Sequence, residues 1–364
     1  MNPDEQDRTQ ISLLDRFRKS WFPPTAVVGA FAAFVAAAFR VRPNPTLAPK
    51  AAKPAAAPGP LVQIGKSVPP APRFGLEYTQ AAVLGAAASA HPFRRTLSGV
   101  AVGPGDKICA LGDEEVRIFD PNGNLVRNWK VVEKAECLTA GPDERIYVGA
   151  AGRVEIYDAG GGRVGGFEAG EKNQPAAVTA IKVFRQEILV ADAAARFIRR
   201  YDLSGKQLGV IGTKSKAGSF MLPNRSLDIA VDSKGVVRAT DTGRHQVTAW
   251  ALDGSPLGSF GKFGMSDPQD FVGCCNPVNL ALTPDGKIVT GEKMVARVKV
   301  YTPDGKLLAV IGPEHFDPNC IHIHLAVDSR GRILTADPVR REIKIFSPVT
   351  KAGVIKPRSL NAHE

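Results

Sequence analysis

An aromatic residue followed four positions later by glycine returns at near-regular intervals: Phe119/Gly123, Tyr157/Gly161, Tyr201/Gly205, Trp250/Gly254 and Tyr301/Gly305. Phe346 is a sixth aromatic, with Thr350 at the glycine position. A period of about 40–50 residues is the length of one small supersecondary unit, which cannot bury its own apolar faces and has to stack on copies of itself. The unit is clearest between Pro277 and Gly312, PVNLALTPDGKIVTGEKMVARVKVYTPDGKLLAVIG. Four short runs, Asn279–Leu282, Lys287–Thr290, Val298–Tyr301 and Leu307–Ile311, are joined in pairs by Pro-Asp-Gly. Asp-Gly after a β-run marks a tight turn, so the unit reads as a four-stranded antiparallel meander.

Six such units fit the chain. They cover residues 99–132, 137–168, 178–212, 227–261, 279–311 and 324–356, the last ending in the run AGVIK. The 36 Gly and 28 Pro suit a fold made of turns. Six four-stranded meanders predict an all-β, six-bladed β-propeller. Within the fourth unit, Ala239-Thr240-Asp241-Thr242-Gly243-Arg244-His245-Gln246-Val247 resembles the strand–Asp-Thr-Gly-Asn-His-Arg–strand signature of the NHL-repeat propellers. Arg244 replaces the Asn of that signature and Gln246 its Arg; blades 1 and 2 have Gly112 and Ala150 near the Asp position. The resemblance spans residues 99–357 and implies a fold shared by many functions.

The residues ahead of the repeats divide into four segments. Residues 1–19 end in a basic flank, Arg16, Arg18 and Lys19, and residues 20–39 carry no charge. Twenty uncharged residues suffice to cross ~30 Å of hydrocarbon as a helix, and the flank holds the N-terminus in the cytoplasm. Ala36-Ala37-Ala38 offers the alternative of a cleaved signal. Length favours the transmembrane anchor, and both readings place the propeller on the extracytoplasmic, periplasmic side, or secreted if the signal is cleaved. Residues 40–73 form a Pro/Ala-rich linker, 74–98 are predicted as a short helical cap, and 358–364 as a tail. Of the net charge of +11, +5 lies in residues 1–72, with nine Lys/Arg against four Asp/Glu. That distribution suits membrane flanks, and no basic run with interleaved aromatics marks a nucleic-acid partner.

The chain has no phosphate loop and no nucleophile elbow. Asp192, Asp241, Glu292 and Asp337 end the second strand of their units, a position that predicts loop-capping acceptors, and His245 falls at the repeat's own His position. Residues at the opening of each innermost strand, Gly99, Cys137, Thr179, Asp228, Asn279 and His324, are predicted to border a central tunnel. Lactonase-like propellers are similar in holding a divalent metal there, which makes Asp228, Asn279 and His324 a partial ligand set. Cys275 and Cys320 occupy equivalent positions in adjacent units and are predicted as a disulfide. Alternation in Cys320-Ile321-His322-Ile323-His324 places the cysteine and both imidazoles on one strand face. With Cys274, Cys275 and His315 they form a second potential zinc or copper set. Cys109 and Cys137 read as buried thiols or a second bridge.

The expectation is a non-enzymatic binding or scaffold module without an obligatory cofactor, recruiting an exported or membrane-associated protein on the face of its long connections, 213–226, 262–277 and 313–321. The alternative is a metal-dependent hydrolase or lyase at the tunnel, with calcium, zinc or copper.

Overall fold

The computed structural model describes residues 74–213 and 218–349. The predicted N-terminus, anchor or signal, linker and tail lie outside these residues, as does the run AGVIK. Among the described residues no helix is long and apolar enough to cross a membrane.

Six four-stranded antiparallel sheets surround one axis, and their innermost strands are neighbours in sequence around a closed circle. Blade 1 comprises Gly99–Val102, Ile108–Gly112, Glu115–Phe119 and Leu125–Lys130. Blade 4 comprises Ile229–Val231, Val237–Asp241, Gln246–Trp250 and Pro256–Phe260. Blade 5 comprises Asn279–Leu282, Ile288–Glu292, Arg297–Tyr301 and Leu307–Ile311, matching the predicted runs to within one or two residues at each end. Each middle strand is covered by a blade on either side, so successive side chains are all buried despite pointing to opposite faces. Every residue of Ile288–Glu292 is buried, whereas most of Leu125–Lys130 on the rim is exposed.

The core is correspondingly divided into six clusters, one in each cleft between adjacent blades. In the cleft between blades 4 and 5, for example, Val247 meets Leu280, Ile288 and Tyr301. Each such side chain contributes about 1.5–3 kcal/mol by leaving water. The repeating aromatic–glycine pair also finds its cause here. Gly123, Gly161, Gly205 and Gly305 sit in the turn between third and outer strands with φ of 93°, 89°, 87° and 94°. An outer-strand side chain of the preceding blade lies where a Cβ would stand: Trp129 against Gly161, Phe167 against Gly205 and Phe260 against Gly305.

The ring closes differently from the sequence expectation. Tyr78–Leu84 is a strand, not part of a helical cap, and it pairs antiparallel with Glu342–Pro348 as the outer strand of blade 6. Leu84 packs on Gly123 of blade 1, as Trp129 does on Gly161 of blade 2. The alanine content of 80–90 favours helix locally, but an unpaired edge on Glu342–Pro348 offers ladder hydrogen bonds that outweigh intrinsic propensity. Joining the first strand to the last blade also ties the ring shut. Between blades 2 and 3 the chain adds a small hairpin, Gly170–Glu171 with Gln174–Pro175, that the repeat pattern does not contain.

Candidate functional site

Antiparallel topology puts the turns within strand pairs 1–2 and 3–4 on one face of the disc. The 2–3 turns and the blade-to-blade connections lie on the other. On this long-loop face five carboxylates clamp the chain as it enters five of the six blades, all but blade 2. Asp192 accepts from Ala177 N at 3.1 Å, Asp241 from Met221 N at 2.9 Å, Glu292 from Val272 N at 3.2 Å and Asp337 from Asp317 N at 2.8 Å. In blade 1 the role falls to Asp113, one residue beyond Gly112, which accepts from the backbone of Arg94, Arg95 and Thr96 at 2.6–2.9 Å. Burial opposes ionisation of Asp113, yet those three amides and Arg117 hold its carboxyl below the usual range. The capping role expected of the second-strand acids is therefore their observed role. Glu292 also pairs with Arg297 and, at 2.7 Å, with the fully buried Lys299. Burial pulls the Lys299 ammonium down to about 8 against the pull of Glu292, and its Nζ donates to Asp270 O at 2.6 Å.

The six residues expected around the tunnel, Gly99, Cys137, Thr179, Asp228, Asn279 and His324, line one central cavity of about 30 Å³, together with Lys182. That volume holds a water or two, or an ion. Asp228 accepts from Ile229 N at 2.8 Å, Leu280 N at 2.9 Å and Asn279 Nδ2 at 3.3 Å. Burial nonetheless raises its carboxyl, against the opposing pull of Lys182 and these donors. Asn279 is buried, and its Oδ1 has no hydrogen-bond partner. Burial, with a smaller push from His322, lowers His324 to about 3.

The cysteine and histidine set of blades 5 and 6 is not assembled. All five cysteines are free thiols, so the predicted Cys275–Cys320 bridge is not formed. Strand structure begins only at His324, which removes the alternation assumed for residues 320–323. Cys320 instead turns into the core with Phe316, Ile323 and Phe346, donating to His322 O at 2.8 Å. His322 and His324 stack on each other at 6.1 Å. His315 packs edge-on against Phe346 at 5.0 Å, and Cys275 contacts Cys274. Among the described residues no three His, Cys, Asp or Glu side chains converge as a metal site. Cys109 and Cys137 are buried thiols facing Lys107 O and Val178 O. His245 packs on Phe263 at 5.3 Å, and burial lowers its imidazole.

Repeat reading overlooked a different feature. Every methionine after Met1 is exposed on the long-loop face: Met221 by 45%, Met265 by 79% and Met294 by 62%. Phe263, Val295, Ile321 and Val339 are exposed on the same face over blades 4 to 6. The remaining large exposed apolar residues lie elsewhere, most of them on outer strands at the rim, such as Val126, Val164, Leu208 and Leu257. Placing 221, 265 and 294 on one side requires the blade assignment, since they belong to two connections and a turn.

These features define the chain as a six-bladed β-propeller. It is similar in fold to the WD40 propeller domain of Doa1 (TM-score 0.52, 15% identity, covering 74% of this chain and 97% of that one). A chain of the mitotic checkpoint complex gives a TM-score of 0.50 at 14% identity, covering 85% and 98%. Virginiamycin B lyase from Staphylococcus aureus gives 0.50 at 13%, covering 74% and 99%. No family model matches the chain. No curated protein matches it either.

Proposed function

We propose that this chain is an exported, membrane-tethered propeller that docks a protein partner on the long-loop face of blades 4 to 6. The exposure of Met221, Met265 and Met294 on that one face carries the reading. Methionine is ordinarily buried, and its flexible, polarizable side chain fits irregular apolar surfaces, which makes it common at binding faces. Arg244, Lys262 and Arg340 on this side pair with Asp241, Asp270 and Glu342 of the chain itself, so a matching partner is recognised through an apolar patch. The checkpoint-complex neighbour is itself a chain in a protein assembly. Replacing Met221, Met265 and Met294 together by Lys should abolish co-purification of the partner without lowering the melting temperature by more than a degree or two. A photo-crosslinker at position 265 should capture the same partner, and one at position 253 on the opposite face should not. Retention of the partner by the triple variant, or capture from 253 alone, overturns the reading.

A second reading, a metal-dependent hydrolase or lyase at the tunnel, is favoured by one observation: the unpartnered Asn279 Oδ1 beside Asp228 and His324. The cavity admits an ion and not a substrate, so any chemistry would sit at its mouth. Stoichiometric calcium or zinc in the purified protein, lost in Asp228→Asn, is the result that would favour it over the docking module.

A further inference from the structure

The connection entering blade 5 brings three sulfur atoms together. Cys274 Sγ lies 2.9 Å from Cys275 Sγ, and the Met294 thioether accepts from Cys274 N at 3.3 Å. Cys274 and Met294 are exposed while Cys275 is buried, so the group is open to solvent on one side only. The two segments are held together by Asn276, which is wholly buried. Its Nδ2 donates to Val272 O at 2.5 Å and to Lys293 O at 3.0 Å, and its Oδ1 accepts from Lys293 N at 2.9 Å. Glu292 adds its bond from Val272 N.

The turn bearing Met294 is itself exceptional. In blades 1, 3, 4 and 6 the residue just before the third strand adopts the left-handed conformation: Glu114, Arg196, His245 and Arg341, with φ of 60°, 60°, 57° and 56°. Blade 5 moves that conformation to Met294, three residues before Arg297, with φ 72°, and Cys275 in the facing connection has φ 61°. Residues with a Cβ avoid this region, so both sulfur-bearing residues are held in it by their surroundings.

We propose that Cys274, Cys275 and Met294 form a binding site for a soft monovalent metal ion of the Cu(I) class. Two thiolates and a thioether are the donor set that such ions select over harder competitors. On binding, both thiols release their protons, two sulfur–metal bonds form and the metal keeps its oxidation state. The resulting complex of two thiolates and one monovalent ion carries one net negative charge, which the exposed side of the site leaves open to solvent. Cys274, being exposed, has to swing outward from its contact with Cys275 to open a bite for the ion, and Met294 already lies over its backbone. The other thiols, Cys109, Cys137 and Cys320, sit in separate core clusters without a second sulfur among them, apart from this site.

The test is anaerobic titration of the reduced full chain with Cu(I) against bicinchoninate as a competing chelator. One equivalent should be withdrawn from the chelator, with thiolate-to-metal absorption in the ultraviolet. Cys274→Ser with Cys275→Ser should abolish that uptake. Met294→Leu should weaken it by at least about 10-fold, the loss that even an outer supporting partner causes. Leucine keeps the apolar bulk at 294, so partner docking should survive in that variant and the two proposals fail separately. If the double variant does not fold, the exposed Cys274→Ser alone should remove the equivalent. The proposal is overturned if the reduced chain takes up no Cu(I), if the serine variants retain the equivalent, or if Met294→Leu binds as tightly as the parent.

Discussion

At the scale of single residues, the glycine of the aromatic–glycine pair carries two constraints at once. Gly305 has φ 94°, and its missing Cβ would stand 2.5 Å from the Phe260 ring. Gly286 has φ 82° but nothing within 4 Å of the same point. Gly286→Ala should therefore cost only the backbone term, about 1–2 kcal/mol, while Gly305→Ala adds overpacking and should cost about 2–4 kcal/mol. Equal melting temperatures for the two variants would remove the packing half of the explanation. His324 makes a second residue-scale prediction. Its folded pKa of about 3 lies below the ordinary 6.5. As pH drops below 6.5 the unfolded chain takes up a proton that the folded tunnel refuses, so stability falls toward acid. Between pH 6.5 and 5 the group should account for about 1–2 kcal/mol of that loss. Urea unfolding of the parent and of His324→Gln should show the difference, and parallel pH profiles would count against it.

Among the elements, the decisive one is Tyr78–Leu84. Its sequence, YTQAAVL, carries no repeat signature, since its glycine partner Gly123 lies in blade 1 and its ladder partner is Glu342–Pro348. A chain beginning at Ala86 leaves blade 6 with three strands, an open edge and an uncovered Gly123. It should lose at least about 3 kcal/mol, from Leu84 burial and a row of ladder hydrogen bonds, and should tend to associate through the edge. An unchanged melting temperature in that truncated chain is the outcome that denies the closing strand its role. The blade boundaries themselves were legible because Pro-Asp-Gly turns and alternating runs are local signals. Which strand completes the last blade was not, because that pairing joins residues 259 to 270 positions apart in sequence.

For the whole molecule, the proposed extracytoplasmic placement rests on the basic flank Arg16–Lys19 before an uncharged stretch. A reporter active only in the cytoplasm, fused after Glu364, should be silent, and strong activity would refute the placement. The sequence by itself determined the number of blades, the strand order within blades 1 to 5 and the ring of tunnel residues, because each follows from a period and from one position within it. It also identified the second-strand acids as caps, since four carboxylates at one repeat position share one local task. The tertiary structure alone decided the rest. Cys275 and Cys320 share a repeat position, yet a thiol's partner depends on where each loop turns its side chain, and Cys320 turns inward to His322 O. Met221, Met265 and Met294 are scattered in the chain and meet on one face only because the strands alternate in direction about a common axis. Period and composition are properties of neighbouring residues; a face, a closed ring and a cluster of sulfurs are properties of residues that folding brings together.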